Sequence, residues 1–153
     1  MGRQRGFSYV IVMFTVAVAT ILSVRALENS LTAERRVKEA ELLYVGQAYR
    51  DAIRSYYENT LGSNKQYPED LDQLLEDADR TSTLQRHLRK RYRDPITGSA
   101  DWGLVRTEDG KQIIGVYSLS TQQPIKSGGF SGDFAAFASA KTYQDWKFVY
   151  KPN

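Results

Sequence analysis

From Phe7 to Val24 the chain carries no charged residue, and only the small hydroxyls of Ser8, Thr15, Thr20 and Ser23 interrupt the apolar run. As a helix this block spans roughly 27 Å, close to the hydrocarbon thickness of a bilayer. Its apolar residues point to every side of such a helix, which argues against a helix buried on one face of a small core. Arg3 and Arg5 precede the block, and Arg25 and Glu28 follow it. That bias keeps the N-terminus in the cytoplasm and puts the rest of the chain outside. A cleaved secretory signal competes, because Val24-Arg25-Ala26 approximates a small-x-small cut site. The apolar run is longer than the usual ~7–15-residue signal core, and no polar break precedes the cut, so retention as an anchor is favoured. Residues 7–24 are therefore expected to be the transmembrane half of a longer helix, with 25–153 displayed beyond it.

Between Arg25 and Leu61 there is no proline and one glycine, Gly46, among many Ala, Leu, Glu, Arg and Lys residues. These are good helix formers, so the anchor continues outward as helix, about 80 Å long from Phe7 to Leu61. Leu42, Val45, Tyr49, Ala52, Ile53 and Tyr56 recur at spacings of three and four, which makes one apolar stripe that needs a sheet to cover it. Gly62-Ser63-Asn64-Lys65 reads as a loop, Tyr67 to Leu75 as a short helix opened by Pro68, and Thr83 to Tyr92 as a second one stopped by Asp94-Pro95. Trp102–Arg106 and Ile113–Leu119 flank a turn with Asp109-Gly110 and predict a hairpin, while Trp146–Tyr150 predicts a last strand. Gln122 to Gln144 reads as a long loop. The fold class is α+β, a long N-terminal helix on a small antiparallel sheet.

The order of these pieces resembles the type IV pilin superfamily, most closely the small pseudopilins of type II secretion systems. Arg3-Gln4-Arg5-Gly6-Phe7-Ser8 resembles a prepilin processing site, with residues 1–6 as leader and cleavage between Gly6 and Phe7. Tyr67-Pro68 with Leu71 and Leu74-Leu75, Arg93-Asp94-Pro95-Ile96-Thr97-Gly98 with Trp102-Gly103, and Val116-Tyr117-Ser118-Leu119 are similar to segments of the same group. The likeness covers nearly the whole chain. It implies a prepilin peptidase that cuts before Phe7 and methylates its amine, and a structural, non-enzymatic subunit of the bacterial inner membrane with a periplasmic head. It also implies assembly with other pseudopilins or pilins on an inner-membrane platform, through helix contacts among which Val10, Val12, Phe14, Val18 and Leu22 are candidates. Family members usually carry a glutamate at the fifth mature residue, and here that position is Ile11. A terminal amine without this partner is costly in lipid, so the next subunit is recruited differently or this one has a special place in the filament. A minor pilin of a type IV pilus or DNA-uptake system, and an exported soluble domain with an ordinary signal peptide, are the alternatives.

Other chemistry is sparse. The absence of cysteine excludes disulfides, thiolate metal sites and cysteine nucleophiles, and a net charge of +3 is too small to dictate a polyanion partner. His87 is the single histidine, which rules out a two-histidine zinc motif and reads as a surface residue. Gly128-Gly129-Phe130-Ser131-Gly132 lacks the Lys-Ser/Thr of a phosphate-binding loop. Arg86, Arg89, Lys90, Arg91 and Arg93 form a basic cluster that reads as a solvated face or subunit contact, with nucleic acid a minor possibility. No cofactor is expected. Asp133 and Asp145 lie in or beside the loop where, by the resemblance, major pseudopilins bind calcium; an ion that takes roughly six to eight oxygens needs more than these two acids.

Overall fold

The computed structural model describes residues 5–60, 65–75 and 87–152, and for residues 5–7 and 24–29 the backbone alone. The chain is α+β. One helix, α1 (Arg5–Asn59), precedes β1 (Gly103–Arg106), β2 (Ile113–Tyr117) and β3 (Phe148–Val149), which pair antiparallel in the order β1-β2-β3. Two compact units divide it, Met1–Arg36 and Val37–Asn153.

In the first unit the small hydroxyls turn back onto the helix. Thr15 donates to the Val12 carbonyl at 2.8 Å, Thr20 to Val16 at 2.8 Å and Ser23 to Ala19 at 2.9 Å. With those groups satisfied along the backbone, the exterior from Val10 to Leu22 is mostly aliphatic and aromatic carbon. Among the described residues no helix is long and apolar enough to cross a membrane. The span expected at Phe7–Val24 begins and ends on residues whose side chains lie outside the described set, as do residues 1–4 of the leader.

In the second unit the stripe predicted from the 3–4 spacing is the core. Leu42, Val45, Tyr49, Ala52 and Ile53 are buried, together with Val116 and Phe148 of the sheet. Leu104 stands opposite Val116, and Val116 opposite Phe148, so one sheet face carries large apolar side chains. On the alternate positions each large residue faces a glycine, Tyr117 opposite Gly103 and Val149 opposite Gly115. A Cβ at Gly103 would stand 2.3 Å from the Tyr117 ring, so this pairing requires glycine. The Lys65 ammonium donates to the carbonyls of Glu58 at 2.7 Å and Thr60 at 2.9 Å, where the end of α1 leaves acceptors unpaired.

Asp94 organises the loop ahead of β1. Its buried carboxylate accepts from the Ile96 N–H at 2.9 Å, the Thr97 hydroxyl at 2.9 Å and the Ser118 hydroxyl at 2.7 Å. Gly98, with φ of 74°, closes the same turn by donating to the Asp94 carbonyl at 2.7 Å. The Asp-Pro turn and the Ser118 that follows β2 are thus one hydrogen-bonded unit.

Several elements differ from the sequence reading. All three strands are shorter than predicted, and the helix expected after Pro68 is a single 3-10 turn, Leu71–Leu74, capped by the Asp70 side chain. Residues 87–92 are irregular rather than helical; the earlier part of the helix predicted at Thr83–Tyr92 lies outside the described residues, as does most of the loop at 62–65. The long loop predicted at Gln122–Gln144 contains a 3-10 helix, Gly132–Ser139, and the start of another, Tyr143–Asp145. Phe134 and Phe137, three residues apart, eclipse on a 3-10 turn, and their rings stack at 5.1 Å over the core. That shared hydrophobic face orders a segment whose Gly and Ser content alone reads as loop.

Candidate assembly surface

Gly6 and Phe7 fall in the first turn of α1, and the Phe7 side chain lies outside the described set. Val10, Phe14, Val18 and Leu22 follow one another at intervals of four, so they line one i, i+4 ridge of the helix, with Ile11 beside it and Val12 turned away from Val10 and Phe14. All six are exposed, Phe14 most at 69%. Such a ridge is what seats in the groove of a second helix. In the second unit α1 also leaves large apolar side chains outside: Val37 at 67% and Tyr44 at 69%, seven residues apart and hence on one face. Ala40 and Glu41 lie exposed between them.

The two candidate calcium acids have other partners. Asp133 pairs with the Arg50 guanidinium. Asp145 Oδ2 accepts from the N–H groups of Lys141 and Thr142, both at 2.9 Å, and from the Thr142 hydroxyl at 3.2 Å, closing a capping box. These bonds, the Thr142 N–H foremost and the Lys141 N–H next, hold its carboxyl below the ordinary value. Among the described residues no group of three His, Cys, Asp or Glu side chains is placed to hold a metal ion.

The basic cluster is partly tied down. Arg91 bonds Asp72 at 3.0 Å, Arg93 reaches the Gly98 carbonyl at 3.3 Å, and Lys90 sits 5.3 Å over the Tyr92 ring. Arg89 is exposed, and Arg86 lies outside the described residues. His87, expected on the surface, is instead half-buried, its Nδ1 at 2.8 Å from the Ser55 hydroxyl and its ring edge-on to Tyr56. Gly129 and Gly132, with φ of 72° and 59°, bracket Phe130, which Lys126 covers at 4.7 Å.

Glu39 was not singled out from sequence. It is 3% exposed, and its Oε1 accepts from the N–H of Ile125 at 2.5 Å, the N–H of Lys126 at 3.3 Å and the Tyr143 hydroxyl at 2.9 Å. One carboxylate near the start of the second unit thus clamps the segment that follows β2. Its place three residues before Leu42, on the buried stripe, was the available signal. No family model, curated protein or solved structure matches this chain.

Proposed function

We propose that this chain is a structural, pseudopilin-like subunit of a type II secretion filament, related to type IV pili, and that it catalyses no reaction of its own. The reading rests on one observation above all: α1 presents an exposed apolar ridge at Val10, Phe14, Val18 and Leu22. Leaving such side chains in water forgoes about 1.5–3 kcal/mol each, which favours a cover of lipid or of another helix. Inner-membrane lipid supplies it before assembly, with the N-terminus cytoplasmic and the head periplasmic. Neighbouring helices supply it afterwards, as subunits pass from the assembly platform into a helical stack. The processing-site likeness at Gly6-Phe7 supports the same scheme.

Mass spectrometry of the mature N-terminus tests it. N-methyl-phenylalanine at Phe7 is the expected result, and a mature chain that begins at Leu27 would replace this reading with an exported soluble domain. The exposed Arg89, Lys90 and Arg93 favour a second reading, a minor pilin of a pilus or DNA-uptake system. DNA affinity that falls steeply with salt and is lost on charge reversal at Arg89 would support that one.

A further inference from the structure

We propose that the Arg50 guanidinium is the cation on which the C-terminal segment closes, and that this segment takes up no calcium. Arg50 stands on α1 with only a fifth of its side chain exposed. Its Nη2 pairs with Asp133 Oδ2, its Nε donates to the Val149 carbonyl at 2.9 Å, and its Cζ lies 5.7 Å from the centre of the Phe134 ring. One side chain therefore ties α1 to the 3-10 helix Gly132–Ser139 and to β3. A guanidinium suits this task because its donors are fixed in a planar fork and its face stacks on an aromatic ring. Phe134 in turn packs on Phe148 at 5.6 Å, so the same contact seats the segment on the core.

The residues here do not fit calcium. The ion takes roughly six to eight oxygens, and beside Asp133 it would meet a fixed positive charge. Asp145 Oδ2 already accepts from two backbone N–H groups and from the Thr142 hydroxyl. The inference stands apart from the filament reading, since its readout is local order in the head and not assembly.

Amide hydrogen exchange across residues 132–139 and thermal unfolding of the full chain, each with calcium chloride and with EDTA, test it. The wild-type protein is expected to give the same exchange rates and midpoint in both. Arg50→Gln is expected to speed exchange in this segment about tenfold, with Arg50→Lys intermediate, because lysine keeps the charge and loses the fork. Slower exchange or a higher midpoint with calcium in the wild type overturns the proposal, as does wild-type exchange in Arg50→Gln. Should Arg50→Gln fail to fold, Asp133→Asn decides: faster exchange confined to 132–139 supports the proposal, and unchanged exchange overturns it.

Discussion

The Phe148 ring occupies the space where a side chain at Gly46 would stand: a Cβ built on Gly46 lies 2.3 Å from Phe148 Cε2. Phe148 is fully buried and has the rings of Phe134 and Phe137 at 5.6 and 5.3 Å, so it cannot step aside cheaply. Two effects oppose each other in Gly46→Ala. Helix propensity favours alanine by about 1 kcal/mol, whereas overpacking a filled core costs about 1–3 kcal/mol. With a clash this short the second wins, and a net loss of about 1–2 kcal/mol is expected in chemical denaturation. Phe148→Leu added to Gly46→Ala should cost less than the separate losses summed. A Gly46→Ala chain as stable as wild type would show that helix and sheet do not meet here.

Glu39 gives a second prediction. Glu39→Ala removes the acceptor shared by the part-buried N–H groups of Ile125 and Lys126 and by the hydroxyl of the buried Tyr143. Hydrogen bonds to a charged acceptor contribute about 1.5–3 kcal/mol each in the interior and less where water can replace the acceptor. A loss of about 3 kcal/mol is expected for alanine, and of about 1 kcal/mol for Glu39→Gln, whose carbonyl oxygen still accepts. Trypsin cutting after Lys126 reports the same release: it should quicken in Glu39→Ala and stay near wild type in Glu39→Gln. Equal cleavage in all three chains would remove the clamp.

These two contacts mark how far the sequence could be read. The core stripe from Leu42 to Ile53 was legible because burial on one helix face imposes a 3.6-residue period. The hairpin was legible because its turn needs a positive φ, and Gly110 supplies one of 70°. The ridge from Val10 to Leu22 followed from an uncharged run too apolar to leave alone. Glu39 was hidden because a carboxylate reads as solvent-facing, and its partners lie 86 to 104 residues away. The 3-10 helix at Gly132–Ser139 was hidden for a similar reason, its order coming from Phe134 and Phe137 on a core built by distant segments. Arg50 gave no sign either, since a helical arginine reads as a solvated face until Asp133 and Val149 are placed beside it.

Asp145 makes a third prediction, for acid. Its carboxyl is held below the ordinary 3.8, first by the Thr142 N–H and next by the Lys141 N–H. A depressed native value means that the unfolded chain binds the proton more readily. The contribution of Asp145 is therefore fully present above the ordinary value and is lost as pH falls through the lowered native one. Stability measured against pH should fall more steeply below about pH 4 in the wild type than in Asp145→Asn, which has no proton to take up. Parallel curves would show that the capping box carries no charge-dependent stability.

The last prediction separates an assembling subunit from a soluble domain. Val37 and Tyr44 are 67% and 69% exposed, so the fold loses little when they become serine. Val37→Ser with Tyr44→Ser should shift unfolding by no more than about 0.5 kcal/mol per site, the usual range for surface changes. If this face of α1 meets other subunits, the same chain should be processed and membrane-inserted normally yet form far fewer cross-linked oligomers. Phe14→Asn is expected to share the assembly defect by a different route, because it places an amide on the ridge that must be covered by lipid or by a neighbouring helix. A monomeric exported domain predicts no assembly phenotype from either change. Intact oligomers in both variants, from chains shown to be folded, would count against helix packing as the work of this protein.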